Sequence, residues 1–243
     1  MAVQEQTIDL EELNAMAPEA LIKWAYDHHG ERAGIVTSFQ NTGCVMVDMA
    51  SRVAPGMRVI TVDTLRLHQE TYDLIDEIEE QYRITVERFK PDPERIRRMI
   101  ENHGEYLFFD SKPKQEYCCR LRKVEPHAKA METLDVWFTG LRRDQSNFRK
   151  DTVKASIVLE EGREVLKLAP LVDWTHEEVE SYIRENGVPY NKLYDKGYTS
   201  IGCVICTTPT RPGEDIRAGR WRWFNNLEND NKECGIHMSG SGI

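Results

Sequence analysis

Short apolar runs that end in polar residues alternate along this chain with stretches whose apolar positions recur every three or four residues. Leu10, Leu13, Ala17, Leu21 and Trp24 fall at near-helical intervals within residues 8–29, which predicts helix. Pro18 breaks that stretch in two, because proline cannot continue the helical hydrogen-bond ladder. "AGIVTSF" (33–39) and "RVITVDT" (58–64) are β-rich runs, with the helical pattern "CVMVDMASRVA" (44–54) between them. Strand, helix and strand in this order make a β-α-β unit, the start of a parallel sheet. The alternation continues with helix in "ETYDLIDEIEEQY" (70–82), strand in "RITVERF" (83–89) and helix from Pro93 to Asn102. Strands come next in "DVWFTGL" (135–141) and "EVLKLAPL" (164–171), then helix in "THEEVESYIRENG" (175–187). The expectation is an α/β fold with a mostly parallel sheet flanked by helices.

From "YTSIGC" (198–203) onward the chain becomes irregular and rich in Gly, Pro, Arg and Trp, the pattern of a segment that covers a site. The expected organisation is one domain over 1–243, with N-terminal helices over 1–32, an α/β core over 33–200 and a C-terminal segment over 201–243. Ligands of open α/β sheets sit beyond the carboxyl ends of the strands. "VTSFQNTG" (36–43) feeds Ser38, Thr42 and Gly43 into a helix N-terminus, a place for an anion or simply a capped helix. "VDTLRLHQETY" (62–72) offers Asp63 and Thr64 at the next strand end, with the same two readings.

Composition narrows the class. Of 243 residues 40% are hydrophobic and 30% charged, which fits a globular chain rather than a disordered one. No run approaches the roughly 20 apolar residues that span a bilayer, and the acidic N-terminus lacks a basic, then apolar, secretory pattern. A cytoplasmic protein without a membrane partner is expected. The net charge of −9 argues against nucleic-acid binding and leaves room for a local basic pocket that takes a small anion.

Six cysteines in such a chain point to metal binding or catalysis before disulfides. Cys118 and Cys119 are adjacent in "EYCCRLRK" (116–123), Cys203 and Cys206 form C-V-I-C, and Cys44 and Cys234 stand alone. Neighbouring cysteines are poorly placed to bond each other. The two pairs together supply four thiolates, enough for an iron-sulfur cluster or a structural zinc; the separate iron corners of a cubane suit adjacent cysteines better than one zinc tetrahedron does. Cys44 reads as a core residue. Cations gather near this sulfur chemistry: Arg122 and Lys123 beside the tandem pair, Arg142 and Arg143 in "GLRRDQS" (140–146), and Arg217 and Arg220 three residues apart. In an acidic protein that clustering indicates an anionic substrate.

"CCRLRKVEP" (118–126), "TGLRRDQS" (139–146), "GCVICT" (202–207), "RAGRW" (217–221) and "KECGIH" (232–237) together resemble the assimilatory adenylyl-sulfate reductases, the iron-sulfur branch of the phosphoadenylyl-sulfate reductase family. The resemblance runs in order from about residue 33 to 238. It implies a Rossmann-like fold of the adenine-nucleotide alpha hydrolase type, a 4Fe-4S cluster, and reduction of adenylyl sulfate to sulfite and AMP with a thioredoxin or glutaredoxin-like dithiol as reductant. Dimers or tetramers are common in the family. Carried over by motif, Cys118, Cys119, Cys203 and Cys206 are expected to hold the cluster. Lys123, Arg217 and Arg220 are expected to face the sulfate with His237 nearby, and Cys234 to be the nucleophile. Ser38 and Phe39 are expected along the nucleotide phosphate and ribose, Asp63 and Thr64 near the adenosine, and Arg142 at the phosphate. The chain departs from the family pattern at Leu65, where D-T-G is usual and glycine permits positive φ. It departs again at Asn41 and Thr42 in the first loop, and at Arg222, where an aromatic is common. The rivals are a reductase of the 3′-phosphorylated substrate, a cluster-bearing sensor without turnover, and an ATP-pyrophosphatase, whose fuller S-G-G-x-D-S loop is missing here.

Overall fold

The computed structural model describes residues 8–146, 149–160 and 162–224. Cys234 and His237 lie outside the described residues.

The N-terminal stretch divides as the proline dictates, into α1 (Leu10–Ala15), capped by the Asp9 carboxylate, and α2 (Pro18–His29), with proline at its first position. The β-α-β unit is made of β1 (Ala33–Val36), α3 (Asn41–Val53) and β2 (Arg58–Val62). Then come α4 (Gln69–Tyr82), β3 (Val86–Phe89) and α5 (Pro93–His103). The β-rich run at 83–89 starts its strand late, because Arg83 closes α4 in the left-handed conformation (φ 55°).

Between α5 and the next strand the chain forms α6 (Lys112–Cys119), a π-helical stretch (Arg120–Val124) and α7 (Glu125–Met131). The remaining elements are β4 (Val136–Phe138), β5 (Ala155–Glu160), β6 (Arg163–Leu168) and α8 (His176–Asn186). A capping box starts α8, Thr175 Oγ1 accepting from the Glu178 amide while the Glu178 carboxylate accepts from the Thr175 amide.

The six strands make one sheet in the order β3-β2-β1-β4-β6-β5, parallel except for the edge strand β5, which runs antiparallel to β6. The central strands read as near-continuous apolar runs because helices cover both faces. On one face α2, α3, α4 and α8 bury Leu21, Ile22, Val45, Met49, Leu74, Ile75, Val179 and Ile183. On the other, Ala130 and Met131 of α7 pack with Ile60, Trp137 and Val165. A third cluster, with Met99, Phe108, Cys118 and Leu121, sits under the cysteine-bearing helix. Cys44 is a fully buried core residue, its thiol pushed up to about 12 by burial.

The chain leaves β1 toward β2 and β3, then returns to place β4 on the other side of β1. That reversal is the topological switch point at which such sheets bind ligands. Gly140, just after β4, lets the two loops meet there, since a Cβ on it would lie 3.3 Å from Thr42 Cβ. No described helix is long and apolar enough to cross a membrane.

Candidate active site

A cavity of about 710 Å³ opens at the switch point. Its walls come from the loops after β1, β2 and β4, from α8, from the α6–α7 region and from residues 197–221. Ser38, Thr64, Lys123, Arg142, Arg217 and Arg220, and the four thiols of Cys118, Cys119, Cys203 and Cys206, all line it. Segments separated by more than a hundred residues in sequence thus converge on one chamber.

The first loop binds itself together before any ligand arrives. Thr37 Oγ1 accepts from the Phe39 amide, and Gln40 donates to Ser38 Oγ while its carbonyl side-chain oxygen accepts from the Ile201 amide. Phe39 adopts a left-handed φ of 54° and turns its ring wholly into the core. It does not line the cavity. Asn41 and Thr42 open α3, whose N-terminal dipole favours a phosphate. Asn41 is tied to Glu180 of α8, and Thr42 Oγ1 accepts from Arg142 Nη1, whose Nε is fixed at 3.0 Å from Asp144. Arg142 is 6% exposed, so its charge is delivered in one fixed direction.

The second loop has a different use from the one expected for Asp63. The Asp63 carboxylate accepts from the Leu65 amide and the Tyr72 hydroxyl, a link that together with burial pushes the Tyr72 phenol up to about 12. Asp63 therefore shapes the turn and does not line the cavity. Leu65 occupies the left-handed region itself (φ 58°), so the turn keeps the shape that glycine adopts more readily. Thr64 does face the cavity, and its hydroxyl lies 3.2 Å from Cys203 Sγ.

The tandem cysteines end α6, and the π-helical stretch comes directly after them. The extra residue in a π turn rotates the rest of the helix relative to the turns before it, and such turns gather at functional sites. Here the rotation sends Arg122 inward, 5% exposed, where Nη1 donates to the Thr64 carbonyl. Gln115 Nε2 lies 3.1 Å from Cys119 Sγ. Burial raises the Cys118 thiol and pushes Cys206 up to about 12, while Arg122 and Arg66 act on Cys118, and Arg220 and Arg66 on Cys206, in the opposite sense. Cys118, Cys203 and Cys206 are close enough to repel one another's charge. None of the described cysteines is in a disulfide.

Residues 198–224 contribute short turns and one bridge, Thr207 to Arg220. Arg217 and Arg220 are not on a helix, yet both reach the cavity. Gly202 accounts for part of this: the Arg220 guanidinium lies where any Cβ on that residue would be, and its Nη1 donates to the Ile201 carbonyl. Arg222 turns away to Glu214, Thr208 and the Pro209 carbonyl, bracing the segment.

Four thiols from two segments, with a hydroxyl, an amide and several guanidinium groups around them, are the residues here that could hold a thiolate-bound cofactor. The Nε atoms of Arg122 and Arg220 are buried without a hydrogen-bond partner among the described residues, and cations left so poorly satisfied call for an anionic neighbour. The residues fit an anionic iron-sulfur group. Among the described residues, no three His, Cys, Asp or Glu side chains converge on a single metal ion's position.

Sequence reading missed Arg66, His127 and Arg149, which also line the cavity. Lone cations and a histidine in a helical stretch carry no spacing signal that separates them from surface residues.

Sheet order and cavity together define an α/β protein with a mostly parallel sheet and a pocket at its switch point. The fold is similar to that of Candida glabrata FMN adenylyltransferase, solved with FAD and inorganic pyrophosphate (TM-score 0.55, 13% identity, covering 96% of this chain and 79% of that one). It is more similar to phosphoadenylyl-sulfate reductase from Candida auris, solved as a phosphate complex (TM-score 0.69, 29% identity, 86% and 99% covered). The profile described as "Phosphoadenosine phosphosulfate reductase domain" matches residues 33–209, and the chain belongs to that family. An adenosine 5'-phosphosulfate reductase from Neisseria meningitidis serogroup A is 40% identical over 206 residues, 84% of this chain and 82% of the relative. One from Halalkalibacterium halodurans is 40% identical over 223 residues, 90% of each.

Proposed function

We propose that this chain reduces adenylyl sulfate to sulfite and AMP, with a thioredoxin- or glutaredoxin-like dithiol as the electron donor, as a step of sulfate assimilation. The observation that carries this reading is the cavity in which a phosphate-type helix N-terminus, four cysteine thiols and a set of cations meet. The relatives named adenosine 5'-phosphosulfate reductase, at about 40% identity over most of the chain, support the unphosphorylated ribose as the preferred form.

Ser38, Thr42 and the first turn of α3 receive the nucleotide phosphate, and Arg142 neutralises it. Lys123, Arg217 and Arg220 receive the sulfate, and His237 is assigned to the same step. Cys118, Cys119, Cys203 and Cys206 would hold a 4Fe-4S cluster, one per chain, which would supply a fixed negative centre for the surrounding cations.

The Cys234 thiolate attacks the sulfate sulfur and forms an S–S bond. The S–O bond to AMP breaks, and AMP leaves with its electron pair. Cations placed where charge moves lower this barrier most. The product is S-sulfocysteine at Cys234. One thiolate of the dithiol then attacks Cys234 Sγ and expels sulfite with the electron pair of the S–S bond. The second thiol attacks the mixed disulfide, frees the Cys234 thiolate and leaves the donor as a disulfide, so two electrons pass from the dithiol to sulfur.

Anaerobic assay of sulfite and AMP release, with iron and sulfide analysis, tests the reading. Parent protein is expected to contain both elements and to turn over, while Cys234→Ser keeps the iron and the AMP affinity and releases no sulfite. Sulfite release by Cys234→Ser at the parent rate would overturn the nucleophile assignment.

A further inference from the structure

Both cysteine-bearing segments are fastened to one short turn, Asp63–Arg66, and Arg66 touches several of the surrounding pieces. Its amide donates to Thr64 Oγ1, and its carbonyl accepts at 2.9 Å from the Val204 amide inside the C-V-I-C loop. Its side chain is 10% exposed. The guanidinium stacks over Phe108, 5.2 Å from the ring centre, and Nη2 donates to the Glu105 carbonyl at 3.1 Å. Phe108 belongs to the cluster that also buries Cys118 and Leu121. The neighbouring Thr64 supplies its hydroxyl to Cys203 and its carbonyl to Arg122, so the same turn also grips the helix of the tandem cysteines.

The position of Arg66 has an electrostatic consequence. Its side chain lines the same cavity as Cys118, Cys119, Cys203 and Cys206. Arg122 lines that cavity too, so two largely buried guanidinium groups converge on it, with the Glu105 carboxylate, 3.5 Å from Arg66 Nη2 and largely exposed, as the one acidic partner of Arg66 among the described residues. Like charges are kept together at such a cost where a shared anion offsets their repulsion.

We infer that Arg66 is a positioning residue for the four-thiol centre: its backbone and planar guanidinium fix the two cysteine segments in register, and its charge stabilises the anionic group they hold. This inference rests on the proposed assignment of a cluster to the four thiols. A methionine at 66 keeps the packing volume against Phe108 and removes both the fork and the charge, whereas a lysine keeps the charge alone. Removing a nearby cation favours the more oxidised, less negative state of an iron-sulfur group and so lowers its potential.

The test compares parent, Arg66→Met and Arg66→Lys as cluster-loaded, anaerobically purified full chains. Three quantities are read: the rate of iron loss to a chelator, the reduction potential of the bound group, and AMP affinity as a check on the fold. In Arg66→Met iron is expected to leave about tenfold faster, on the scale of losing a group that orients a metal's ligands, with a more negative potential and AMP affinity kept. Arg66→Lys is expected to recover the potential. Parental iron loss and potential in Arg66→Met overturn the inference, and so does faster loss with an unmoved potential, which reduces Arg66 to packing. If Arg66→Met loses AMP affinity, Arg66→Gln, which also removes the charge, is read in its place: a potential more negative than the parent's supports the inference and a parental one overturns it. Parent protein without iron and sulfide overturns the cluster reading itself, together with this inference, whereas iron-loaded parent and an indifferent Arg66→Met overturn the inference alone.

Discussion

Leu65 shows how a single backbone angle carries the site. A left-handed conformation costs a branched side chain roughly 1–2 kcal/mol, and glycine's extra unfolded freedom takes back roughly 0.5–1 of any gain from replacing it. Leu65 is 48% exposed, so little packing is lost on substitution. Leu65→Gly is therefore expected to raise stability by about 0.5 kcal/mol, measured by urea unfolding, with AMP affinity unchanged; a loss of stability would show that the leucine side chain has a contact that matters. The departure from D-T-G was legible in the sequence, and its outcome was not, because only the Asp63 and Thr64 hydrogen bonds show that the turn keeps its shape. The same holds for Phe39 and Asp63. Motif position placed them beside the nucleotide, whereas side-chain direction at a strand end is decided by the turn, and here one points into the core and the other into the loop.

At the scale of elements, helices with a clear apolar stripe were readable: α2 to α5 and α8 lie within a few residues of where periodicity puts them. The stretch "KPKQEYCCRLRKVEPHAKAM" was not, because its apolar positions are few and part of its buried face is made of Cys118, Arg122 and His127. That is also where the π turn sits, so the element hardest to read is the one that positions the thiols. The edge strand β5 went unread for a different reason: exposed Ile157 and Leu159 alternate with buried Val158 and Glu160, which blurs the apolar pattern. The capping box of α8 is formed by T-H-E-E. Thr175→Ala removes one half of it and is expected to cost about 1 kcal/mol. Because α8 also carries Glu180, which holds Asn41, weaker AMP binding should accompany that loss. An unchanged unfolding midpoint and unchanged AMP affinity would show that the cap is dispensable.

Over the whole molecule, strand alternation announced an α/β fold, but strand order is set by long-range pairing, and the switch point that locates the cavity emerges only from that order. Charge behaves collectively too. Burial lowers His29, His68 and His127, the last to about 4 from 6.5. Between those values the unfolded chain binds more protons than the folded one, so stability falls as the pH drops from 6.5 toward 4. Carboxylates held low by cations, Asp135 by Arg32 and Glu70 by Lys196, add a loss of the same sign below their ordinary values of 3.8 and 4.5. Urea midpoints are therefore expected to decline steadily from pH 7 to 4, with a shallower slope in His127→Leu than in the parent; an identical slope would show that His127 is protonated without opening the fold.

Whether one cavity joins a nucleotide, a sulfate and a cysteine nucleophile in covalent exchange is decided by intact mass. Anaerobic protein is incubated with adenylyl sulfate and no reductant, then weighed, treated with a dithiol and weighed again. Covalent exchange requires a gain of about 80 Da, the mass of a transferred SO₃ group on a nucleophilic thiol, with release of AMP. That gain should disappear on dithiol treatment and never form in Cys234→Ser. Turnover with dithiol but without any adduct, or an adduct of the same mass in Cys234→Ser, would refute exchange through Cys234.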